Sequence, residues 1–197
     1  MPEAQLYFLS DQYYKDFPDD KLMKNKDIID GVPHNRPCFY AFPDAKNPSI
    51  LWIVPISSRY EKFKKIEQDK IAKYGKCNTI RFGTVLGRNT AFLIQNMCPA
   101  TEKYLTPYID KNNSPIRIDN RVAEDVVKNA HEVLALAKRG AKVVFPDIFK
   151  IYSGLEQQLN EIDNNPKQSI LAQLKEHKEE VQQAAPRPKI RSNRRER

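Results

Sequence analysis

The sequence has few cysteines, histidines and glycines, and this scarcity argues against several kinds of site. Cys38, Cys77 and Cys98 are odd in number and form no C-x-x-C pair, so neither a zinc site nor a disulfide framework is indicated. The histidines and carboxylates form no motif with metal-ligand spacing, and there is neither a Walker loop nor a glycine-rich dinucleotide fingerprint. We therefore expect no metal and no cofactor.

Long hydrophobic runs are also missing. The longest, "ILWIVPI", has seven residues and contains a proline, whereas a membrane-spanning helix needs about 20. The first residues, "MPEAQLYFLSDQ", include an early acid and no long apolar region, so no secretory signal is predicted. With the unpaired cysteines, these features favour a protein of the reducing cytoplasm.

Positive charge is concentrated at the C-terminus. Residues 186–197, "PRPKIRSNRRER", contribute +5 to the net charge of +8, which leaves +3 for the rest of the chain. This composition is typical of a disordered arm that attracts polyanions through counterion release, although a solubilising terminus would have the same composition. Positive potential on the folded part must therefore come from local clusters.

Residue patterning predicts an α+β domain over residues 1–160, in which helices surround a mostly antiparallel sheet. A polar helix at residues 161–185 and the basic tail follow. The predicted strands cover residues 5–10, 38–42, 49–56, 78–86, 90–97 and 142–145, with a hairpin around "GRN". The predicted helices cover residues 11–17, 59–75, about 119–140 and 147–159, and residues 19–37 are a partly helical loop.

The stretch "PISSRYEK" joins an apolar strand to a basic helix and allows two interpretations. In the first, Ser58 caps the helix and Glu61 reaches back to form a capping box. In the second, Ser57 and Ser58, with Arg59 and Lys62, form a cradle for phosphate at the positive end of the helix. Capping by Ser58 is compatible with both interpretations.

A site built from hydroxyl, lysine, arginine and tyrosine side chains suits one kind of phosphoryl transfer. The 2′-OH of RNA attacks its own 3′-phosphate and leaves a 2′,3′-cyclic phosphate and a 5′-OH. Because the substrate supplies the nucleophile, the protein needs only to align it and to stabilise the developing charge. RNA would be cleaved in this way, whereas DNA would not.

Five stretches in a fixed order carry a resemblance to a known family. They are "YFLSDQYY", "NRPCF", "WIVPISSRYEKFKKI", "KYGKCNTIRFGTVLG" and "AFLIQNMCP", which together span roughly residues 5–105. In them the chain resembles the endoribonuclease toxins of type III toxin–antitoxin systems, the ToxN/AbiQ superfamily, and it is most similar to the CptN and TenpN branches.

The resemblance implies a fold, an activity and a partner. It implies a twisted antiparallel sheet of the MazF/Kid type and metal-independent RNA cleavage that leaves 2′,3′-cyclic phosphates. It also implies inhibition by a small RNA pseudoknot that the toxin excises from a repeat transcript. Toxin and RNA are expected to assemble into a closed protein–RNA oligomer that acts in phage defence by abortive infection.

The resemblance also implies catalytic residues. The family's hydroxyl pair falls on Ser57 and Ser58, one of which would orient the 2′-OH, and its basic residue falls on Arg36. The lysine that follows the hydroxyl pair in ToxN-like members is replaced here by Arg59, and Lys62 follows one turn later. Because arginine holds its proton too firmly to act as an acid, Lys62 is the better candidate to act with Arg36 on the phosphorane.

Other residues are expected to bind RNA. The family's tyrosine after the first strand falls on Tyr13, which would position the phosphate or stack on a base, although core packing is an open alternative. Arg36 could likewise be an ordinary surface charge. The remaining candidates are Arg59, Lys65, Arg81, Gln95 and Asn96, the last two as amides that read base edges. Among the histidines, only His34 is a candidate for testing.

Two other functions remain open. One is a non-catalytic RNA-binding protein that uses the basic helix and the tail. The other is an interaction protein whose tail binds an acidic partner.

Overall fold

The structure of the protein is a computed structural model that describes residues 4–25, 28–29, 32–33 and 35–164. Its contacts divide the chain into two units, residues 1–156 and residues 157–197. The predicted basic tail lies outside the described residues, as does the predicted polar helix beyond residue 164. None of the described helices is long and apolar enough to span a membrane.

Strands and helices are short and closely spaced. The strands are β1 (Leu6–Leu9), β2 (Ile28–Ile29), β3 (Val32–Pro33), β4 (Pro37–Pro43), β5 (Leu51–Ser57), β6 (Arg81–Val85), β7 (Arg88–Phe92), β8 (Cys98–Ala100) and β9 (Leu105–Pro107). The helices are α1 (Asp11–Asp16), α2 (Tyr60–Tyr74), α3 (Asn120–Lys138) and α4 (Ile148–Asn164).

In the described part of the chain, seven of these strands form one antiparallel sheet. Its order is β6-β7-β5-β4-β1-β9, with β8 also paired to β5, while β2 and β3 pair with each other. The predicted α+β class with a mostly antiparallel sheet is therefore confirmed.

Strand β5 is the centre of the sheet. One of its edges pairs with β4, and the other pairs with β8 along Leu51–Ile53 and with β7 along Ile56–Ser57. From Phe92 to Cys98 the chain advances six residues while β5 advances only three, from Ile56 to Ile53. The three extra residues form a 3₁₀ turn, Ile94–Asn96, in a segment whose sequence predicts one continuous strand.

The two faces of β5 carry different parts of the fold, because successive side chains of a strand point to opposite faces. Trp52, Val54 and Ile56 pack with the buried side of α3. Ile53 and Pro55 lie on the other face, against the region of α1 and the loop after it. Ser57 is two residues beyond Pro55 and therefore lies on the same face as Ile53 and Pro55.

Helix α3 packs its apolar side into the core, as its sequence predicts. Asp119 accepts hydrogen bonds from the Arg121 and Val122 N–H groups and caps the helix, while Gly140 follows it at φ 89°. The predicted apolar stripe is buried or partly buried at Val122, Val126, Ala130, Val133, Leu134 and Ala137.

Several sequence predictions need correction. Residues 142–145 are not a strand, because the Phe145 N–H donates to the Gln95 carbonyl, 2.8 Å away, instead of joining a ladder. The described part of 19–37 contains no helix and holds β2, β3 and the start of β4. The hairpin is confirmed: β6 and β7 are joined through Leu86 and Gly87, both at positive φ.

A buried carboxylate joins the β4–β5 turn to α4. Asp44 is 4% exposed and accepts hydrogen bonds from Trp52 Nε1 and Tyr152 Oη, both at 2.9 Å, and from the backbone N–H groups of Lys46 and Asn47. Burial raises the pKa of Asp44, but the hydrogen bonds from Trp52, the Lys46 N–H and Tyr152 outweigh it and hold the pKa below its usual value. The ionised form is therefore the one that the fold stabilises.

We expect Asp44→Ala to lower the free energy of unfolding by about 3 kcal/mol, because several donors lose their acceptor together. Asp110→Ala is the matched control, since exposed Asp110 accepts only turn N–H groups, and it should cost less than ~1 kcal/mol. The Asp44 contribution is present above the carboxyl's ordinary pKa and is lost as the pH falls through the lower folded value. Urea denaturation of both variants across acidic pH measures this, and equal losses in the two variants would contradict it.

Candidate functional site

The turn from β5 into α2 is built differently from the predicted capping box. Helix α2 begins at Tyr60, so its N-cap is Arg59, whose side chain makes no capping hydrogen bond. Instead, the Arg59 N–H donates to Ser57 Oγ at 3.3 Å, as in a Ser/Thr turn. Ser58 is exposed and lies one residue before the cap, so the prediction that Ser58 and Glu61 form a capping box is wrong.

Helix α2 is fixed against the sheet by its inner side. Phe63 and Ile66 pack in a cluster with Ala91 and Leu93. Further along, Lys70 Nζ donates to Thr79 Oγ1 at 2.7 Å and to Gln95 Oε1 at 2.6 Å. Lys62 and Lys65 remain exposed on the outside of the helix.

Arg36 lies next to Ser57. Cys38 is paired with Pro55, and continuing that register by two residues sets Arg36 opposite Ser57 on the same face. The Arg36 guanidinium donates to the carbonyls of Ile56 and Lys24, both at 3.3 Å. Its backbone N–H donates to Asn25 Oδ1 at 3.0 Å, so both its main chain and its side chain are held.

Two arginines, Arg36 and Arg59, share this site. Burial lowers the pKa of Arg36, Tyr14 opposes that change, and the nearby charge of Arg59 lowers the pKa further. Within the described residues, neither Arg36 nor Arg59 forms an ion pair with a carboxylate. Two cations held together in this way are stabilised by a bound anion, which makes the end of β5 a candidate phosphate site.

A recess below this site is too small for a nucleotide base. It encloses about 10 Å³, room for one water-sized group, between the β5 residues Ile53 and Pro55 and the side chains of Tyr14, Arg36 and Asn96. A nucleic acid must therefore bind over the surface.

Tyr14 is a site residue that sequence reasoning missed. Its hydroxyl donates to the Met23 carbonyl at 3.2 Å, and burial raises its pKa. The sequence offered the pair Tyr13-Tyr14, and only the packing of α1 decides which ring faces Arg36.

Tyr13, the predicted substrate-binding tyrosine, belongs to the core. It has no exposed surface, and its hydroxyl donates to the Pro99 carbonyl at 2.8 Å. Its ring packs at 5.3 to 5.6 Å against Phe17, Tyr104 and Tyr14. The alternative of core packing is the one observed, because a fully enclosed ring cannot stack on a base.

Three more predicted RNA-binding residues face inward. Gln95 and Asn96 are 4% and 7% exposed, because the 3₁₀ turn directs them into the fold instead of along a strand. Arg81 Nε forms an ion pair with Asp125 at 3.0 Å, and another of its nitrogens donates to Asn129. Its guanidinium therefore joins β6 to α3.

The remaining predicted residues are distributed around the site. Ser57 is 7% exposed beside Arg36, while Ser58, Arg59, Lys62 and Lys65 are exposed. The His34 side chain lies outside the described residues. In the part of the chain that the structure describes, no three His, Cys, Asp or Glu side chains are grouped so that they could hold a metal ion.

The fold is shared with two solved structures. The first is AbiQ, a lactococcal anti-phage endoribonuclease of a type III toxin–antitoxin system. It matches with a TM-score of 0.58 and 12% identity over 79% of this chain and 98% of its own. The second comes from a study of a bacterial antiviral system that is regulated by a processed non-coding RNA. It matches with a TM-score of 0.54 and 12% identity over 76% of this chain and 95% of its own.

These two matches confirm the fold that the resemblance to the ToxN/AbiQ superfamily implied. No family model matches the sequence, and no curated protein sequence matches it.

We expect Ser58→Ala to leave the melting temperature unchanged, because Ser58 makes no capping bond. Asp119→Ala is the matched control, since Asp119 does cap α3, and it should lower the free energy of unfolding by about 1 kcal/mol. Thermal denaturation followed by circular dichroism measures both. If Ser58→Ala lowered stability as much as Asp119→Ala, the result would support the capping box after all.

Tyr13→Phe should lower the free energy of unfolding by about 1 kcal/mol through the lost hydrogen bond to Pro99. Its affinity for single-stranded RNA should equal that of the unmodified protein, because the ring has no exposed surface. Fluorescence anisotropy with a labelled oligonucleotide tests this. If Tyr13→Phe bound RNA more weakly at unchanged stability, the result would indicate that Tyr13 does contact RNA.

Proposed function

We propose that this protein is a metal-independent endoribonuclease toxin of a type III toxin–antitoxin system. One observation carries the proposal: Arg36 and Arg59 lie beside Ser57 with no carboxylate partner among the described residues, in a fold shared with an endoribonuclease of such a system. The two cations supply what a scissile phosphate needs, and the neighbouring serines supply hydroxyls. The substrate class is RNA and not DNA, because only ribose carries the attacking 2′-OH.

The proposed reaction is an internal transfer at one phosphate. The 2′-oxygen attacks phosphorus and the bond from phosphorus to the 5′-oxygen breaks, which leaves a 2′,3′-cyclic phosphate and a 5′-OH. Arg36 and Arg59 stabilise the additional negative charge on the phosphorane oxygens. This stabilisation is greatest for Arg36, because it is half-buried and fixed through Ile56 and Lys24.

Two proton transfers accompany the reaction. Ser57 Oγ accepts the Arg59 N–H, which leaves its own O–H free to donate. We assign to Ser57 the alignment of the 2′-OH and the relay of its proton to a phosphate oxygen, and Ser58, one residue further and exposed, is the alternative hydroxyl. The departing 5′-oxygen must gain a proton, and Lys62, in the first turn of α2, is the proposed donor.

An RNA inhibitor of the same site completes the proposal. The second structural match concerns an antiviral system regulated by a processed non-coding RNA. We propose that a pseudoknot RNA, cut by this protein from a repeat transcript, occupies the Arg36–Arg59 site and blocks it within a closed protein–RNA oligomer. The system would act in the cytoplasm, as phage defence by abortive infection.

Cleavage of single-stranded RNA in excess EDTA, with cyclic-phosphate and 5′-OH ends, is the expected result. Arg36→Gln should lower kcat/KM by roughly 10²- to 10³-fold, because it removes a fixed charge from the transition state. Arg139→Gln, at an exposed arginine after α3, is the matched control and should cut at the normal rate. Ser57→Ala should lose cleavage while Ser58→Ala keeps it. End-group analysis of the products and initial rates measure these effects.

Two results would overturn this function. A requirement for magnesium, or products with linear 5′-phosphates, would contradict the chemistry. RNA that is bound but stays intact through long incubation would favour the non-catalytic RNA-binding protein instead. In cells, expression should arrest growth, and the repeat RNA should relieve the arrest.

A further inference from the structure

A row of residues across the sheet connects Ser57 to an aromatic side chain. Ser57 is paired with Ala91 on β7, and Ala91 is paired with Phe82 on β6. Residues directly opposite on antiparallel neighbours lie on the same face, so Phe82 shares the face of Ser57. Two strand spacings separate them, about 10 Å.

Tyr60 packs against Phe82 above this row. It is the first residue of α2 and directly follows Arg59. Its ring centroid lies 5.0 Å from that of Phe82, at an interplanar angle of 67°. Lys64 Nζ lies 4.7 Å from the Phe82 centroid and is itself bonded to Glu67 at 2.7 Å. Phe82 is thus contacted by two side chains and supports the ring of Tyr60.

Tyr60 keeps accessible surface. It is partly exposed at the start of the helix. Of the predicted base-reading residues, Gln95 and Asn96 face inward, and the recess beside Arg36 holds only a water-sized group. Tyr60 is a partly exposed ring that directly follows Arg59 in the candidate phosphate site.

We propose that Tyr60, supported by Phe82, stacks on an unpaired RNA base next to the phosphate bound by Arg36 and Arg59. This inference rests on the proposed function and assigns the base subsite of the same site. Stacking on an aromatic ring accepts any base, because every base has a π-face. The subsite therefore positions the strand for cleavage and does not select the base by hydrogen bonds.

Tyr74, at the other end of α2, is a matched control. It is 65% exposed, and Lys73 Nζ lies 5.1 Å from its ring, so it offers similar chemistry to RNA. At 1.5 Å per residue, it lies about 21 Å along the helix from Tyr60. It is therefore also distant from Ser57, which precedes Tyr60. A ring that binds RNA nonspecifically would behave alike at both ends of the helix.

The test combines protein variants with an RNA series in which the base at each position around the cleavage point is removed in turn. Tyr60→Leu should lower kcat/KM on intact RNA by roughly 5- to 150-fold, the range expected for one base–aromatic stack. Tyr60→Phe and Tyr74→Leu should retain the normal rate. At one position beside the cleaved phosphate, removing the base should lower kcat/KM of the unmodified protein as much as Tyr60→Leu does on intact RNA. At that position, Tyr60→Leu should cut the RNA without the base as fast as it cuts intact RNA.

A second test uses fluorescence of the RNA bound to the unmodified protein, so its result does not depend on whether a variant folds. The probe is an RNA oligonucleotide with 2′-deoxyribose at the cleavage site, which cannot be cut, and 2-aminopurine at the same neighbouring position. Stacking should quench its fluorescence on binding, and Tyr60→Phe should keep that quenching.

The outcomes separate this inference from the function on which it rests. If Tyr60→Leu cuts every RNA of the series as fast as the unmodified protein, or no position shows quenching, the stacking subsite is wrong while the ribonuclease stands. If, at every position, the loss of kcat/KM in Tyr60→Leu with a base removed equals the product of the two separate losses, the ring and the base act independently. The inference then also fails. If the unmodified protein neither binds nor cuts RNA, both proposals fall.

Discussion

The structure depends on the pairing of β5 with three neighbouring strands. β4 pairs along one edge of β5, while β8 and β7 share the other, and the last residue of β5, Ser57, is paired with Ala91 of β7. Arg36 is positioned by the first pairing and Phe82 by the second, through β7. Ser57 thus lies between the two, and the candidate site forms where β5 ends, with Arg36 directly before β4 and Arg59 directly before α2.

Arg36 and Arg59 place two positive charges at the end of β5. Some other cations of the described surface are paired with acids, as Arg81 is with Asp125 and Lys64 with Glu67. Burial, and to a smaller extent the charge of Arg59, lowers the pKa of Arg36, and this half-buried guanidinium is directed by carbonyls, which hold it without cancelling its charge. This arrangement supports the phosphate site that we propose.

The elements that sequence predicted well are those set by local pattern. Helix α3 follows from its apolar stripe and the Asp119 cap, and the β6–β7 hairpin follows from its turn residues. Strands β8 and β9 were missed because each is three residues long and contains a proline. The candidate site was half predictable: the sequence suggests Ser57 and Arg36, which the structure brings together, but which tyrosine of the α1 pair faces Arg36 depends on packing. Gln95 reads as an outward strand amide, and only the three extra residues between β7 and β8 turn it inward.

Those three extra residues have a consequence for how the molecule can change. They separate the register of the outer hairpin from that of β8, although both pair with the same edge of β5. The hairpin that holds Phe82 is therefore aligned on Ile56 and Ser57 and not on the strand pairs around Trp52. Substitutions within this hairpin can reshape the surface beside Ser57 while the pairing of β5 with β4 and β8 stays as it is.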